Sequence, residues 1–80
     1  MMMQANKKSL LPEVLGRITG SEVLVSVKGG KQFRGKLRGF DINMNLVLDE
    51  GVSLEEGKVS KRYGVLLLRG DGVVFVAPLG

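Results

Sequence analysis

Hydrophobic positions change their period once along this 80-residue chain. Leu11, Val14, Leu15 and Ile18 recur at i, i+3, i+4 and i+7, the spacing of one face of a helix. Pro12 falls where a first helical turn tolerates it and Gly16 limits the length, so the spacing predicts one short amphipathic helix. From Glu22 onward the period is two. Val23, Val25 and Val27 share a face, and Gly29-Gly30 supplies the tight turn of a hairpin. A second strand is expected from Lys31 to Asp41, with Phe33, Gly35, Leu37 and Gly39 on one side and Arg34, Lys36, Arg38 and then Phe40 on the other. Gly35 and Gly39 carry no side chain to resist bending, so this strand is expected to curve sharply inside a small barrel. Leu46 to Asp49, Lys61 to Leu68 and Val73 to Ala77 read as strands three to five, the last stopped by Pro78. Gly51 to Ser60 reads as a polar hairpin connection.

Strands four and five are apolar on both faces, through Val65-Leu66-Leu67-Leu68 and Val73-Val74-Phe75-Val76. A lone small sheet cannot cover both faces of such strands, so a neighbouring subunit is expected to cover or pair with them. The fold class that follows is all-β with one short N-terminal helix. Residues 10–80 form a single domain, and residues 1–9 are a tail for which disorder is the default expectation.

Length and composition reinforce the expectation of self-association. A domain this small buries too little surface to be stable by a wide margin, and the usual supplements are disulfides, a structural metal or oligomerisation. The chain has no cysteine and no histidine, which leaves oligomerisation. No apolar run resembles a signal peptide or a membrane span, so a soluble cytoplasmic protein with no membrane partner is expected.

The net charge of +4 is unevenly spread. Residues 1–40 hold eight Lys and Arg against Glu13 and Glu22, whereas residues 41–80 hold four against six acids. A basic half suits a polyanionic partner, although a merely solvated surface has the same composition. Arg34, Lys36 and Arg38 form a basic stripe that could meet phosphates or simply keep a strand face soluble.

Several chemistries can be set aside. Gly30 to Lys36 imitates the start of a phosphate-binding loop, but Leu37 stands where Ser or Thr must hold magnesium, and strand alternation continues where a helix should begin. Arg69-Gly70-Asp71 spells an adhesion-like tripeptide but is better read as a turn between strands. Without His or Cys, and with acids paired only as Asp49-Glu50 and Glu55-Glu56, neither a metal site nor a catalytic set is expected. The chain is therefore read as a non-enzyme with no cofactor and no small-molecule substrate.

The informative segment is Gly39 to Leu46, which places Asp41, Asn43 and Asn45 in a loop between two apolar strands. Asp and Asn often serve only as turn formers. Together with Arg69 and Asp71 in a second tight turn, they make a recognition set. An amide such as Asn45 offers both a donor and an acceptor to a base edge, and a planar guanidinium such as Arg69 can stack on a base face. Asp41 and Asp71 could hold those two groups in position.

These residues, in this order, resemble the Sm and Sm-like (LSm) family, most closely its short archaeal members. Val23 to Glu50 is similar to the first Sm motif, with Lys28-Gly29-Gly30, Phe33-Arg34-Gly35, Gly39-Phe40-Asp41 and Met44-Asn45. Leu68-Arg69-Gly70-Asp71 followed by Val73 and Val74 is similar to the second. The resemblance implies a strongly bent five-stranded antiparallel sheet forming a small open barrel, closed into a homo-oligomeric ring, heptameric in archaeal members, by strand four pairing with the next subunit's strand five. It also implies U-rich single-stranded RNA as partner, held at the central pore by Asp41, Asn43, Asn45, Arg69, Gly70 and Asp71 in a scaffold or chaperone of RNA processing. Relatives that bind oligo(U) commonly carry His, Phe or Tyr where this chain has Asn43. Stacking on an aromatic side chain contributes about 1 to 3 kcal/mol per base, so weaker or looser uracil binding is expected here. Met44 is expected to pack beneath the loop. A structural or protein-interaction ring with little RNA affinity is the alternative, and an unrelated monomeric barrel of SH3 or OB type is a third.

Overall fold

In the computed structural model, which describes the backbone of residues 7–79 and the side chains from residue 13 onward, the helical spacing becomes α1, Lys7–Ile18. Of the expected tail, residues 1–6 lie outside the described residues, while residues 7–9 already belong to the helix. Pro12 therefore stands in the second turn rather than the first, where it lacks the N–H that would bond to the carbonyl of Lys8. Gly16 does not limit the helix. Its end is set by Gly20, at φ +92°, with the Thr19 hydroxyl donating to the Leu15 carbonyl at 2.9 Å and the Ser21 amide to the Ile18 carbonyl at 2.9 Å. Leu15 is buried and Ile18 packs against the core, while Val14 is half exposed.

Five strands follow: β1 Glu22–Val27, β2 Gln32–Phe40, β3 Leu46–Glu55, β4 Lys58–Leu68 and β5 Val73–Pro78. They form one antiparallel sheet in the order β4-β3-β2-β1-β5, so β4 and β5 are its two edges and no hydrogen-bonded ladder joins them. The alternation in β1 and β2 sends Val23, Val25, Gly35 and Leu37 inward, where they meet Leu46, Leu48 and Leu68 in a small core closed by Leu15 of the helix. Register shifts in the β2–β3 pairing lie between Arg34 and Lys36 and between Leu37 and Gly39, which is where a bent strand must absorb its curvature. Gly35 is required there: a Cβ would lie 2.9 Å from the Asp49 carbonyl oxygen and 3.1 Å from Gly51 Cα.

The polar connection expected over Gly51–Ser60 is instead mostly strand. β3 continues to Glu55 and β4 begins at Lys58, joined by a two-residue turn in which Glu56 and Gly57 have φ of +53° and +81°, the pattern of a tight hairpin turn. Register shifts around Gly51 and Leu54 break the two-residue period, and Ser53 faces inward at 2% exposure.

At the edges several apolar side chains stand exposed among the described residues. Val65 and Leu67 on β4 are 60% and 69% exposed, and Val74 and Phe75 on β5 are 61% and 44% exposed. Two open edges with apolar flanks are a template for pairing with further copies.

Candidate nucleic-acid interface

Asp41 directly follows β2 and opens the loop to β3, where its carboxylate organises the backbone that follows. Oδ1 accepts from the amides of Asn43 at 2.9 Å and Asn45 at 3.1 Å, and Oδ2 accepts from the Asn45 side-chain amide at 2.9 Å. The Met44 amide donates to the Asp41 carbonyl at 3.0 Å, and the Asp41 amide to the Asn45 carbonyl at 3.2 Å. This tight loop needs Met44 at φ +64°, and its side chain packs partly against the core, as a residue lying beneath the loop should. The side-chain hydrogen bond from Asn45, with those from the two backbone amides, holds the Asp41 carboxyl below its ordinary value of 3.8, against a smaller opposing effect of burial.

The other half of the site is the turn after β4. Arg69 leads into a single 3-10 turn, Gly70–Gly72, closed by the Gly72 amide donating to the Arg69 carbonyl at 3.0 Å. The Gly72 carbonyl in turn accepts from the Lys28 amide at 2.8 Å, which ties the turn to the end of β1. Arg69 Nη2 lies 3.2 Å from Asp71 Oδ2, and both side chains are largely exposed.

One contact locks the two loops together: the Gly70 amide donates to Asn45 Oδ1 at 2.7 Å. The Asn45 amide group is thereby fixed at both ends, its nitrogen on Asp41 and its oxygen on Gly70, and the two partners leave no freedom to exchange N for O. One N–H and one lone pair remain available. Gly70 passes so close to the Asn43 carbonyl that no side chain fits: a Cβ would lie 2.8 Å from the carbonyl carbons of both Asn43 and Met44.

Asn43, Asn45, Arg69, Gly70 and Asp71, with Met44, line a concavity of about 450 Å³. Asp41 lines an adjoining concavity of similar size that shares Asn45 and Arg69 and whose apolar wall includes Phe40, Val47 and Leu67. The structure thus brings all six sequence-selected residues together. That apolar second wall was missed in the sequence, where the one signal was Phe40, an aromatic on the same side of β2 as Arg34, Lys36 and Arg38. The Asn43 side chain is exposed and makes no hydrogen bond among the described residues. The basic stripe is neutralised in place: Arg34 meets Glu22 at 3.1 Å, Lys36 meets Glu50 at 4.0 Å and Arg38 meets Asp49 at 3.4 Å. Among the described residues there is no cluster of metal-ligating side chains and no helix long and apolar enough to cross a membrane.

A bent five-stranded sheet behind a short helix, with two polar loops clamped together between its open edges, defines the architecture of the Sm-like proteins. The LSM domain family matches residues 13–78, and the chain belongs to that family. A protein of Methanosarcina barkeri whose name describes it as snRNP Sm-like is 46% identical over 66 residues, covering 82% of this chain and 92% of its own length. The Sm protein of Pyrococcus abyssi, solved in complex with a uridine heptamer, superimposes with a TM-score of 0.80 at 42% identity over 84% of this chain and 94% of that one. A P. aerophilum Sm-like protein solved as a heptamer gives 0.81 at 33% identity, covering 88% and 93%.

Proposed function

We propose that this chain, as a single Sm-like domain over residues 10–80, is one subunit of a homo-oligomeric ring, most simply a heptamer, that binds U-rich single-stranded RNA at its central pore. It acts in the cytoplasm as a scaffold or chaperone in RNA processing, with no chemistry of its own. The observation that carries this reading is the Asn45 amide held between Asp41 and Gly70, with a donor and an acceptor left over at the mouth of a concavity. Uracil presents an N3–H donor beside carbonyl acceptors, so a fixed amide is complementary to its edge. Arg69, oriented by Asp71, offers a guanidinium plane for the base face, while Asn43 can give an amide plane or a hydrogen bond but no aromatic stack. The uridine heptamer bound by the P. abyssi protein and the heptamer formed by the P. aerophilum protein support both halves of the proposal. The exposed apolar edges β4 and β5 supply the surfaces that ring closure would bury.

The test is a fluorescence-anisotropy titration with labelled oligo(U) and oligo(A) of equal length at about 0.15 M salt, where charge attraction is screened beyond roughly 8 Å. A preference for oligo(U) that disappears in Asn45→Ala is expected. Weak, equal binding of both RNAs that ignores the mutation would favour a ring that serves as a structural or protein-interaction platform, the reading that Asn43 keeps in view.

A further inference from the structure

The pairing of charges on the surface is uneven. Among the described residues, Arg17, Arg34, Lys36, Arg38 and Arg69 each lie within 4.0 Å of a carboxylate, whereas Lys28, Lys31, Lys58, Lys61 and Arg62 do not. All five of the latter sit on two neighbouring hairpins. Lys28 and Lys31 flank the Gly29-Gly30 turn, and Lys58, Lys61 and Arg62 follow the Glu56-Gly57 turn. The two turns line a shared cleft of about 600 Å³ through Gly29, Lys31, Leu54 and Glu56. The cleft itself holds Lys31 against Glu55 and Glu56, and the excess of positive charge lies on the residues that flank it, where Lys28, Lys58, Lys61 and Arg62 bring the two hairpin ends to five cations against two acids.

Two of these cations are combined with aromatic rings. In the sheet register Phe33 is opposite Ser53 and Ser53 is opposite Lys61, which puts Phe33 and Lys61 on one face. The Lys31 ammonium lies 5.8 Å from the Phe33 ring centroid, the Lys61 ammonium 5.8 Å from that of Tyr63, and the two rings are 6.4 Å apart at a tilt of 58°. The result is a row: cation, ring, ring, cation. Tyr63 is 40% exposed, and both lysines are exposed.

We propose that Lys31, Phe33, Tyr63 and Lys61 form a second contact for single-stranded RNA, outside the two-loop pocket, in which the lysines hold phosphates and Tyr63 stacks a base. Unpaired cations alone would suit any polyanion. The rings between them select a nucleic acid, because base stacking on aromatic side chains alongside a basic track is how single strands are held without sequence preference. The proposal rests on the RNA-binding reading above and extends it to nucleotides beyond those in the pockets.

The experiment compares wild type, Lys31→Gln/Lys61→Gln and Asn45→Ala, each verified by light scattering to have the same mass, against a uridine heptamer and an oligo(U) of about twenty nucleotides. Titrations run between about 0.05 and 0.2 M salt. The double variant is expected to bind the heptamer like wild type and to bind the long strand more weakly. Its slope of log K against log salt should be shallower by about 1.4 for each subunit touched, so wild type loses about sevenfold more affinity per subunit touched across that range. Long-strand binding by the double variant with wild-type affinity and slope overturns the proposal while leaving the pocket intact. If Asn45→Ala leaves heptamer affinity unchanged, the pocket reading fails, and loss of long-strand affinity in the double variant still supports the second contact. Wild type that binds neither RNA overturns both. Polyglutamate is the rival probe: a double variant that loses polyglutamate but keeps long RNA assigns the row to an acidic protein partner and overturns the RNA contact.

Discussion

Gly70→Ala tests the lock between the two loops. The added Cβ would meet the carbonyl carbons of Asn43 and Met44 at 2.8 Å and the Asn43 oxygen closer still, and all of these are backbone atoms that no rotamer change can move. Carbon atoms pack at ~3.5–4.0 Å, so the loops must part by about 1 Å. That displacement stretches the 2.7 Å bond from the Gly70 amide to Asn45 Oδ1 beyond useful range. The lost bond costs about 0.5–1.5 kcal/mol and the residual strain a similar amount, so the total is about 1–3 kcal/mol. For a domain of this size the melting temperature should fall by about 5–20 °C, measured at fixed protein concentration because assembly contributes to stability. Hydrogen exchange should show the Gly70 amide losing protection. Since Gly70→Ala and Asn45→Ala remove the same bond, the double variant should be less destabilised than the two single effects added together. A Gly70→Ala protein that melts within about 2 °C of wild type with its amide protected would refute the argument.

Asp41 supplies a pH expectation. Its folded carboxyl titrates below the ordinary 3.8, so ionisation favours the folded loop: the stabilisation is complete above 3.8 and is lost as pH falls through the lower folded value. The Asn45 side-chain NH2 resonances, followed by NMR, should shift with a midpoint below 3.8; a midpoint at or above that value contradicts the hydrogen-bonded arrangement. Leu67→Asp, on the exposed flank of β4, should leave the subunit folded but lower the light-scattering mass to that of one or a few chains, and an unchanged mass would remove β4 from the assembly contact. Gly35→Ala drives a Cβ to within 2.9 Å of the Asp49 carbonyl oxygen at the bend of β2, and should destabilise by about 1–3 kcal/mol in urea unfolding; a midpoint equal to wild type would mean the bend relaxes freely.

Much of this architecture is legible in the chain because its signals are local. The two-residue alternation of Val23 to Val27 and Phe33 to Gly39 survives into β1 and β2, and the double-faced apolar runs of β4 and β5 become the open edges. What was misread has a physical cause. Gly51, Ser53, Glu55 and Ser60 have the composition of a loop, yet they lie in β3 and β4, because successive register shifts erase the period that would have revealed the strands and Ser53 turns inward despite its hydroxyl. Gly16 resembled a helix stop, but the positive φ falls at Gly20. In the site, Asp41 and Asn45 are four residues apart and Arg69 and Asp71 two, so each half could be assembled on paper. The bond from Gly70 to Asn45 spans 25 residues, and the pairing of Lys36 with Glu50 or Arg34 with Glu22 depends on strand register, which composition does not carry.

The strand order has a consequence for direction. The sheet begins at one edge with β4 and ends at the other with β5, and the two are not alike. A contact in which one copy's β4 meets the next copy's β5 therefore has a sense, as a queue does. Repeated to closure, it leaves no strand unpaired and carries every Asn45 and Arg69 around the circle in the same orientation. An RNA strand also has a sense, from 5′ to 3′. Laid along such a circle, it meets the pockets in matching order one way round and in mismatched order the other.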